Sequence, residues 1–370
     1  MKHSETYVNR TKLCYVLSYR FPNYVRTETL LHSLALLDNV EVYRAINTKK
    51  GVARYLQTLA QLLAVRLKHN PDVYILGFRG YEIFWPVRLL TAGKPLIYDE
   101  FVEPVNWFTE EHKKIAAGSL AGRLLKAYVR STLKYCQRIL YDSDANADLS
   151  AGTSGIDRNK YTVIPVGTDE SVFKPLPVAK QSDRFKILFY GSMLPLHGIE
   201  HIVQSLQQLG DDVHLHLVGD IGKLTTGLRG EIEQGVMSGQ IKHTNWIPYP
   251  ELPREIAKAD ICLGGPFGGT SQARRVITGK TFQSLAMGKL TLIGKTDVKS
   301  VLEDGRNCLI AKQGSATAIA EKIRWAIHHP TEVKKIAENG RQSYLEHFSN
   351  RKVAGMLSEL LTQLSSPKVR

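Results

Sequence analysis

Four residues gather after one glycine-rich turn in the C-terminal half of the chain, and their order suits the binding of an anion. Ile261 to Leu263 read as a short apolar strand, and Gly264, Gly265, Gly268 and Gly269 follow it. Glycines at that density let the backbone turn sharply and approach a ligand closely. Arg274, Arg275, Lys280 and Thr281 then stand where the next helix is expected to begin. Helix starts leave amides without intrahelical acceptors and carry the positive end of the helix dipole, so a phosphate is the guest this combination favours. Gly288 is expected to close that helix, and Leu290 to Ile293 to form the next buried strand. A second loop, Gly191 to Gly198 (GSMLPLHG), follows another apolar run and offers further amides with Ser192 and His197.

Three short motifs carry competing chemistry. His197, Glu200 and His201 match HxxEH, a zinc-ligand spacing on a helix, but Gly198 and Pro195 place His197 in a loop and no third ligand is identifiable. Gly279-Lys280-Thr281 resembles the tail of a Walker A loop, yet Arg274 stands where its first glycine is needed. Asp142-Ser143-Asp144 could hold a metal as a DxD motif, or end a strand and cap the next helix, as Ser and Asp commonly do. No metal site is expected from these.

Composition bounds the remaining possibilities. A chain of 370 residues with 43% hydrophobic content is long enough for two domains. Its four cysteines, Cys14, Cys136, Cys262 and Cys308, are far apart and form no CxxC pair, which argues against a disulfide framework and fits a reducing cytoplasm. The first residues lack an apolar signal core, and no run reaches the roughly 18 apolar residues of a membrane span. The net charge is +14, with 25 Lys and Arg against 17 Asp and Glu in residues 1–180 and 24 against 18 in the rest. Arg123, Lys126, Arg130, Lys134 and Arg138 recur at spacings of three and four, as one stripe on a helix whose other side would carry Leu120, Leu124, Tyr128 and Leu133. Such a stripe is either a solvated face or a peripheral contact with anionic lipid at the inner face of a membrane. No motif that stacks aromatics among cations is present, so nucleic acid is not expected as a partner.

The chain repeats one plan. Lys12 to Tyr19 and Lys186 to Ser192 each open a Rossmann-like half with a basic residue, an apolar run and a polar loop. Further strands are expected at 40–44, 73–77, 95–98, 138–141 and 161–165, then at 213–218, near Trp246, and at 261–263, 290–293 and 308–310. This predicts an α/β protein with an N-terminal domain over 1–170, a linker over 171–184, a C-terminal domain over 185–349, and a helix over 350–370 that returns to the first domain. Open α/β sheets bind ligands beyond the carboxyl ends of their strands. In the first half those ends carry Tyr19, Arg20 and Arg26, then Arg79, then Asp99, Glu100 and Glu103, with His112 further on.

Arg274 to Lys289, RRVITGKTFQSLAMGK, resembles the donor-site signature of the family 4 glycosyltransferases. Gly191 to Gly198 is similar to that family's first C-domain loop, and Asn245 to Leu263 resembles its segment ending in an apolar strand. The resemblance covers 185–349 well and the earlier half only suggestively. It implies a GT-B fold, two Rossmann-like domains with a cleft between them. It also implies retaining transfer of a sugar from a UDP- or GDP-sugar to a glycan or lipid-linked acceptor, in polysaccharide or glycoconjugate assembly, with no tightly bound cofactor or metal. Carried over by position, the donor set is Gly191, Ser192, His197, Gly269, Thr270, Arg275, Lys280, Thr281 and Gln283. Lys280 and Arg275 would stabilise the charge that grows on the departing β-phosphate, with Asp99 as a third catalytic candidate and Tyr19, Arg20, Arg26, Glu100 and His112 for the acceptor.

Two departures from the family pattern matter. Gln283 stands where a glutamate usually holds the donor ribose, and Met193 and His197 stand where an arginine and a lysine usually meet the diphosphate. A histidine protonated beside a diphosphate could restore part of that charge. These departures motivate one alternative, a degenerate transferase-like binding or scaffold subunit; a GT-B sugar-nucleotide 2-epimerase, which shares fold and donor but needs acid and base carboxylates in the cleft, is the other.

Overall fold

The computed structural model describes residues 10–111, 113–177 and 184–365. The chain divides into two units, one made of 1–165 with 353–370 and one made of 166–352.

Unit 1 alternates strands and helices: β1 (Thr11–Leu17), α1 (Val25–Ala35), β2 (Val40–Ile46), α2 (Ala53–His69), β3 (Val73–Leu76), α3 (Phe84–Leu90), β4 (Leu96–Asp99), α4 (Pro104–Asn106), α5 (Leu120–Lys134), β5 (Arg138–Tyr141), α6 (Asp144–Ser154) and β6 (Tyr161–Val163). All six strands are parallel, in the order β2-β1-β3-β4-β5-β6. The apolar runs of β1, β3, β4 and β5 are buried because the middle of a parallel sheet is covered on both faces, while the edge strand β2 is only partly covered. On one face lie α2, α3, α5 and α6, through residues such as Leu62, Phe84, Val129, Leu133 and Ala147.

Unit 2 continues with β7 (Phe185–Tyr190), α7 (Ile199–Leu206), β8 (Val213–Val218), α8 (Thr226–Met237), β9 (Ile241–Thr244), α9 (Leu252–Lys258), β10 (Ile261–Leu263), α10 (Ser271–Arg274), α11 (Gly279–Ala286), β11 (Leu290–Gly294), β12 (Leu309–Ala311), α12 (Ala316–His328) and α13 (Pro330–His347). The parallel sheet runs β12-β11-β10-β7-β8-β9. Counted from β7, that is the 3-2-1-4-5-6 order of a dinucleotide-binding sheet, and its reversal falls between β7 and β10. The last helix, α14 (Asn350–Ser365), lays Val353, Leu357, Leu360 and Leu361 against Leu13, Leu30, Leu34 and Ile75 on the other face of the unit 1 sheet, beside α1.

Several expectations need correction. β9 ends at Thr244, and Trp246 is 72% exposed, so the strand sought near Trp246 lies before it. Arg138 belongs to β5 rather than to the basic helix, because α5 stops at Lys134. The side of α5 turned to the core carries Gly122, Val129, Thr132 and Leu133, while Leu120 and Leu124 are 73% and 61% exposed. Part of the expected linker, 178–183, lies outside the described residues, as do 366–370. The part before it is tied down: Phe173 is buried, and the Glu170 carboxylate accepts from Tyr344 Oη at 3.0 Å and from the Asn350 amide at 2.7 Å.

Candidate functional site

The reversal of strand order in unit 2 leaves a crevice beyond the ends of β7 and β10, and two loops rich in glycine occupy it. Gly191, immediately after β7, has φ +142°, and a Cβ added to it would stand 3.3 Å from Lys280 Nζ. A side chain at 191 is therefore disfavoured both by the backbone and by the space next to the ammonium. Gly268 fits against the other loop closely enough that a Cβ would lie 2.2 Å from the carbonyl oxygen of Pro195. The first loop thus packs on the second, and its one-turn helix, Pro195–His197, delivers His197 inward.

Lys280 lies in the first turn of α11 and is 8% exposed. Its ammonium donates to His197 Nδ1 at 3.3 Å and sits 5.2 Å from the centre of the Phe189 ring. Among the described residues no carboxylate pairs with it. Burial lowers its pKa to about 7. His197 responds in the same direction, since burial and then the charge of Lys280 push its pKa down to about 2. The histidine is therefore neutral and offers Lys280 a lone pair. His197, Glu200 and His201 make no group of three metal ligands among the described residues.

Thr281 follows Lys280 and is fully buried, and its Oγ1 has no hydrogen-bond partner among the described residues. Gln283, one turn into the helix, is 7% exposed and accepts from Tyr190 Oη at 2.8 Å. Gly191, His197, Lys280, Thr281 and Gln283 are thus gathered around the ends of β7 and β10. The remaining donor candidates are placed differently. Ser192 and Gly269 are exposed on their loops, and Thr270 uses its hydroxyl to cap α10 by accepting from the Ala273 amide at 3.1 Å. Arg274 and Arg275 end the short α10 instead of opening the next helix, and Arg274 lies 4.0 Å from Asp297.

Unit 1 carries the other candidates. Arg26 and Asp99 are both fully buried and face each other, with Nε at 3.1 Å and Nη2 at 2.8 Å from Oδ1. Arg26 Nη1 also donates to the carbonyls of Ile164 and Pro165. Burial alone would lower the Arg26 pKa, but the Asp99 charge and hydrogen bonds raise it above its ordinary value. The two side chains hold each other and the end of β6, so neither presents a free group to a ligand, in contrast to the acceptor and catalytic roles expected of them. Glu100 is buried as well; its Oε2 accepts from Tyr141 Oη at 2.6 Å and Ser150 Oγ at 3.0 Å. Burial and then the nearby Glu103 push its pKa up to about 8. Tyr19 packs edge-on against Phe21, Tyr24 and Phe78 at the ends of β1 and β3, and exposed Arg20 lies over the Phe21 ring. Arg79 is paired with Glu82 at 2.6 Å. His112 lies outside the described residues. In Asp142-Ser143-Asp144, Ser143 caps α6 by accepting from the Asn146 amide.

Sequence reasoning missed Phe189 and Tyr190, which form the floor under Lys280 and the partner of Gln283. Both sit inside an apolar strand and read as core, and only the Tyr190 hydroxyl at a strand end hinted otherwise. It also missed the cluster of Tyr24, Phe78 and Phe101 around Tyr19, since those residues are scattered over three loops.

The fold recurs in solved proteins. HepE of Anabaena, solved in complex with UDP, superposes with a TM-score of 0.71 at 15% identity over 96% of this chain and 100% of its own. Sucrose-phosphate synthase of Thermosynechococcus elongatus gives 0.71 at 15% identity over 96% and 99%, and a glycosyltransferase of Rickettsia africae 0.70 at 15% over 96% and 99%. The fold is GT-B. Within this GT-B chain, residues 197–359 match the family model described as glycosyl transferase-like. None of the curated proteins matches the sequence. The matched segment begins at His197 and contains Lys280, Thr281 and Gln283.

Proposed function

We propose that this GT-B chain is a glycosyltransferase of the family 4 kind, moving a sugar with retention from a nucleotide-sugar to a glycan or lipid-linked acceptor. One observation carries the reading: a buried lysine ammonium without a carboxylate partner, at the start of a helix, at the switch point of a Rossmann-ordered sheet. A charge so placed is costly until an anion arrives. A nucleoside diphosphate supplies that anion, with its outer phosphate against Lys280 and the first amides of α11. When the anomeric bond breaks, negative charge grows on that phosphate, and a cation fixed there lowers the barrier without a metal. The structures of HepE with UDP and UDP-glucose favour a uridine donor over a guanosine one. The test is release of UDP from UDP-sugars with and without a panel of acceptors. Release that depends on acceptor supports transfer, and conversion of the donor alone would point to an epimerase.

The Lys280 pKa makes donor binding depend on pH. Its charge is present below about 7 and lost above, while the diphosphate diester of UDP-glucose keeps its charge throughout. UDP-glucose is expected to bind roughly tenfold more tightly at about pH 6 than at about pH 8, from the protonated fraction of the lysine. Titration calorimetry at the two values checks this, and a flat profile would separate Lys280 from the donor.

Gln283 supports a second reading, a transferase-like subunit that binds without turning over. We expect adaptation instead. Gln283→Glu would bury a carboxylate beside Tyr190, so turnover should stay level or fall and the melting temperature should drop. A large gain in turnover from near zero would establish the degenerate subunit.

A further inference from the structure

We propose that the outer face of the layer formed by α2, α3 and α5 in unit 1 docks on an anionic lipid bilayer. These three helices pack side by side on one face of the sheet, where α2 meets α3 and Trp85 of α3 touches Tyr135 at the end of α5, ring centres 5.3 Å apart. Their sequences hold eight Lys and Arg, three on α2, one on α3 and four on α5, and no Asp or Glu. A solvated face on a soluble domain normally mixes both signs. Of these cations Arg54 is paired with Glu82, which also holds Arg79, while Asp144 and Asp148 on the neighbouring α6 are held by Arg158.

The same layer exposes large apolar side chains. Val52, Leu56, Leu63 and Leu67 fall within about 60° of one another around α2 and its first flanking residue, at 3.6 residues per turn. Leu89 of α3 and Leu120 and Leu124 of α5 are each more than 60% exposed. Of the 19 exposed large hydrophobics among the described residues, nine lie on this layer, the others being scattered over both units. On α5 the two leucines form a stripe directly beside Arg123, Lys126, Arg130 and Lys134, between the cations and the buried side. Leucines flanked by cations, with no acid among them, match the boundary of a bilayer, where apolar groups enter the acyl region and cations meet phosphate headgroups. An acidic protein partner would satisfy the cations but leave no reason for the leucines. This inference does not depend on the transferase reading, since binding to vesicles is read without turnover.

The experiment is sedimentation of the full chain with phosphatidylcholine vesicles, with and without phosphatidylglycerol, at low and high salt. Binding is expected only to the anionic vesicles, with release by salt. Arg123→Ala/Lys126→Ala should weaken it on the order of thirtyfold, at roughly fivefold per cation, and Leu120→Ser/Leu124→Ser on the order of tenfold. All four positions are exposed, so unchanged melting temperatures show that the variants remain folded. Absence of binding to anionic vesicles, or equal binding to neutral ones, would overturn the proposal. So would a dimer in solution that the leucine variants dissociate, because the face would then be covered by a second copy.

Discussion

Lys280→Met is expected to lower turnover of a nucleotide-sugar by about 10²–10³-fold, the usual cost of removing one preorganised group that meets developing charge, and at the same time to raise the melting temperature. The two effects share one cause. Burial depresses the lysine pKa from 10.5 to about 7, so the folded state disfavours the proton that the unfolded chain holds. The resulting destabilisation is fully present below about pH 7 and fades as pH rises toward 10.5. At about 1.4 kcal/mol per pKa unit it amounts to a few kcal/mol at neutral pH and below. Methionine fills much the same volume without a charge, so the variant should melt roughly 5 °C higher at about pH 6, with less difference near pH 10. Turnover and melting curves on the same preparation decide the matter. A variant that loses activity and stability together would make Lys280 a structural prop.

Asp99→Ala is expected to do the reverse, lowering stability severely. It leaves the Arg26 guanidinium, fully buried, facing two backbone carbonyls, with the weaker pull of Asp142 as its remaining counter-charge. Breaking a buried pair from one side costs about 3–5 kcal/mol, which in a unit of this size is roughly 10 °C in melting temperature. Replacing both partners, Arg26→Met with Asp99→Leu, should recover much of the loss, because neither member of the pair is left buried without the other. Were Asp99 an acceptor group instead, the single variant would lose turnover with an unchanged melting temperature, and the double variant would recover nothing. Thermal denaturation by circular dichroism separates these outcomes.

The contrast between Lys280 and Asp99 shows what a sequence exposes and what it conceals. The parallel sheets were legible because each strand is an apolar run bounded by turn residues, and β5, β8 and β10 coincide with the expected spans. Lys280 was legible because glycines frame it locally. Asp99 and Arg26 both stand at plausible ligand positions, and only the contact across 73 residues reveals that they are partners. The direction of His197's titration was out of reach for a similar reason, since it depends on a lysine 83 positions away. For α5, cation spacing placed Arg123, Lys126, Arg130 and Lys134 on one helix but carried the stripe too far, to Arg138 of β5, and Leu120 and Leu124 followed the same helical period as core residues. Periodicity says that two residues share a face, and only packing says whether that face is covered.

The position of α14 has a consequence for how the protein comes into being. Val353, Leu357, Leu360 and Leu361 complete one wall of the core that Leu13, Leu30 and Ile75 begin. A ribosome releases the chain from its N-terminus, and domains commonly fold as they emerge. Unit 2 is continuous from 166 to 352 and can close as soon as it is out, whereas unit 1, begun first, must wait with an apolar sheet face only partly covered by α1 until α14 arrives. The order of completion is therefore the reverse of the order of synthesis, and a nascent chain stalled or truncated before residue 353 would present that open face to chaperones.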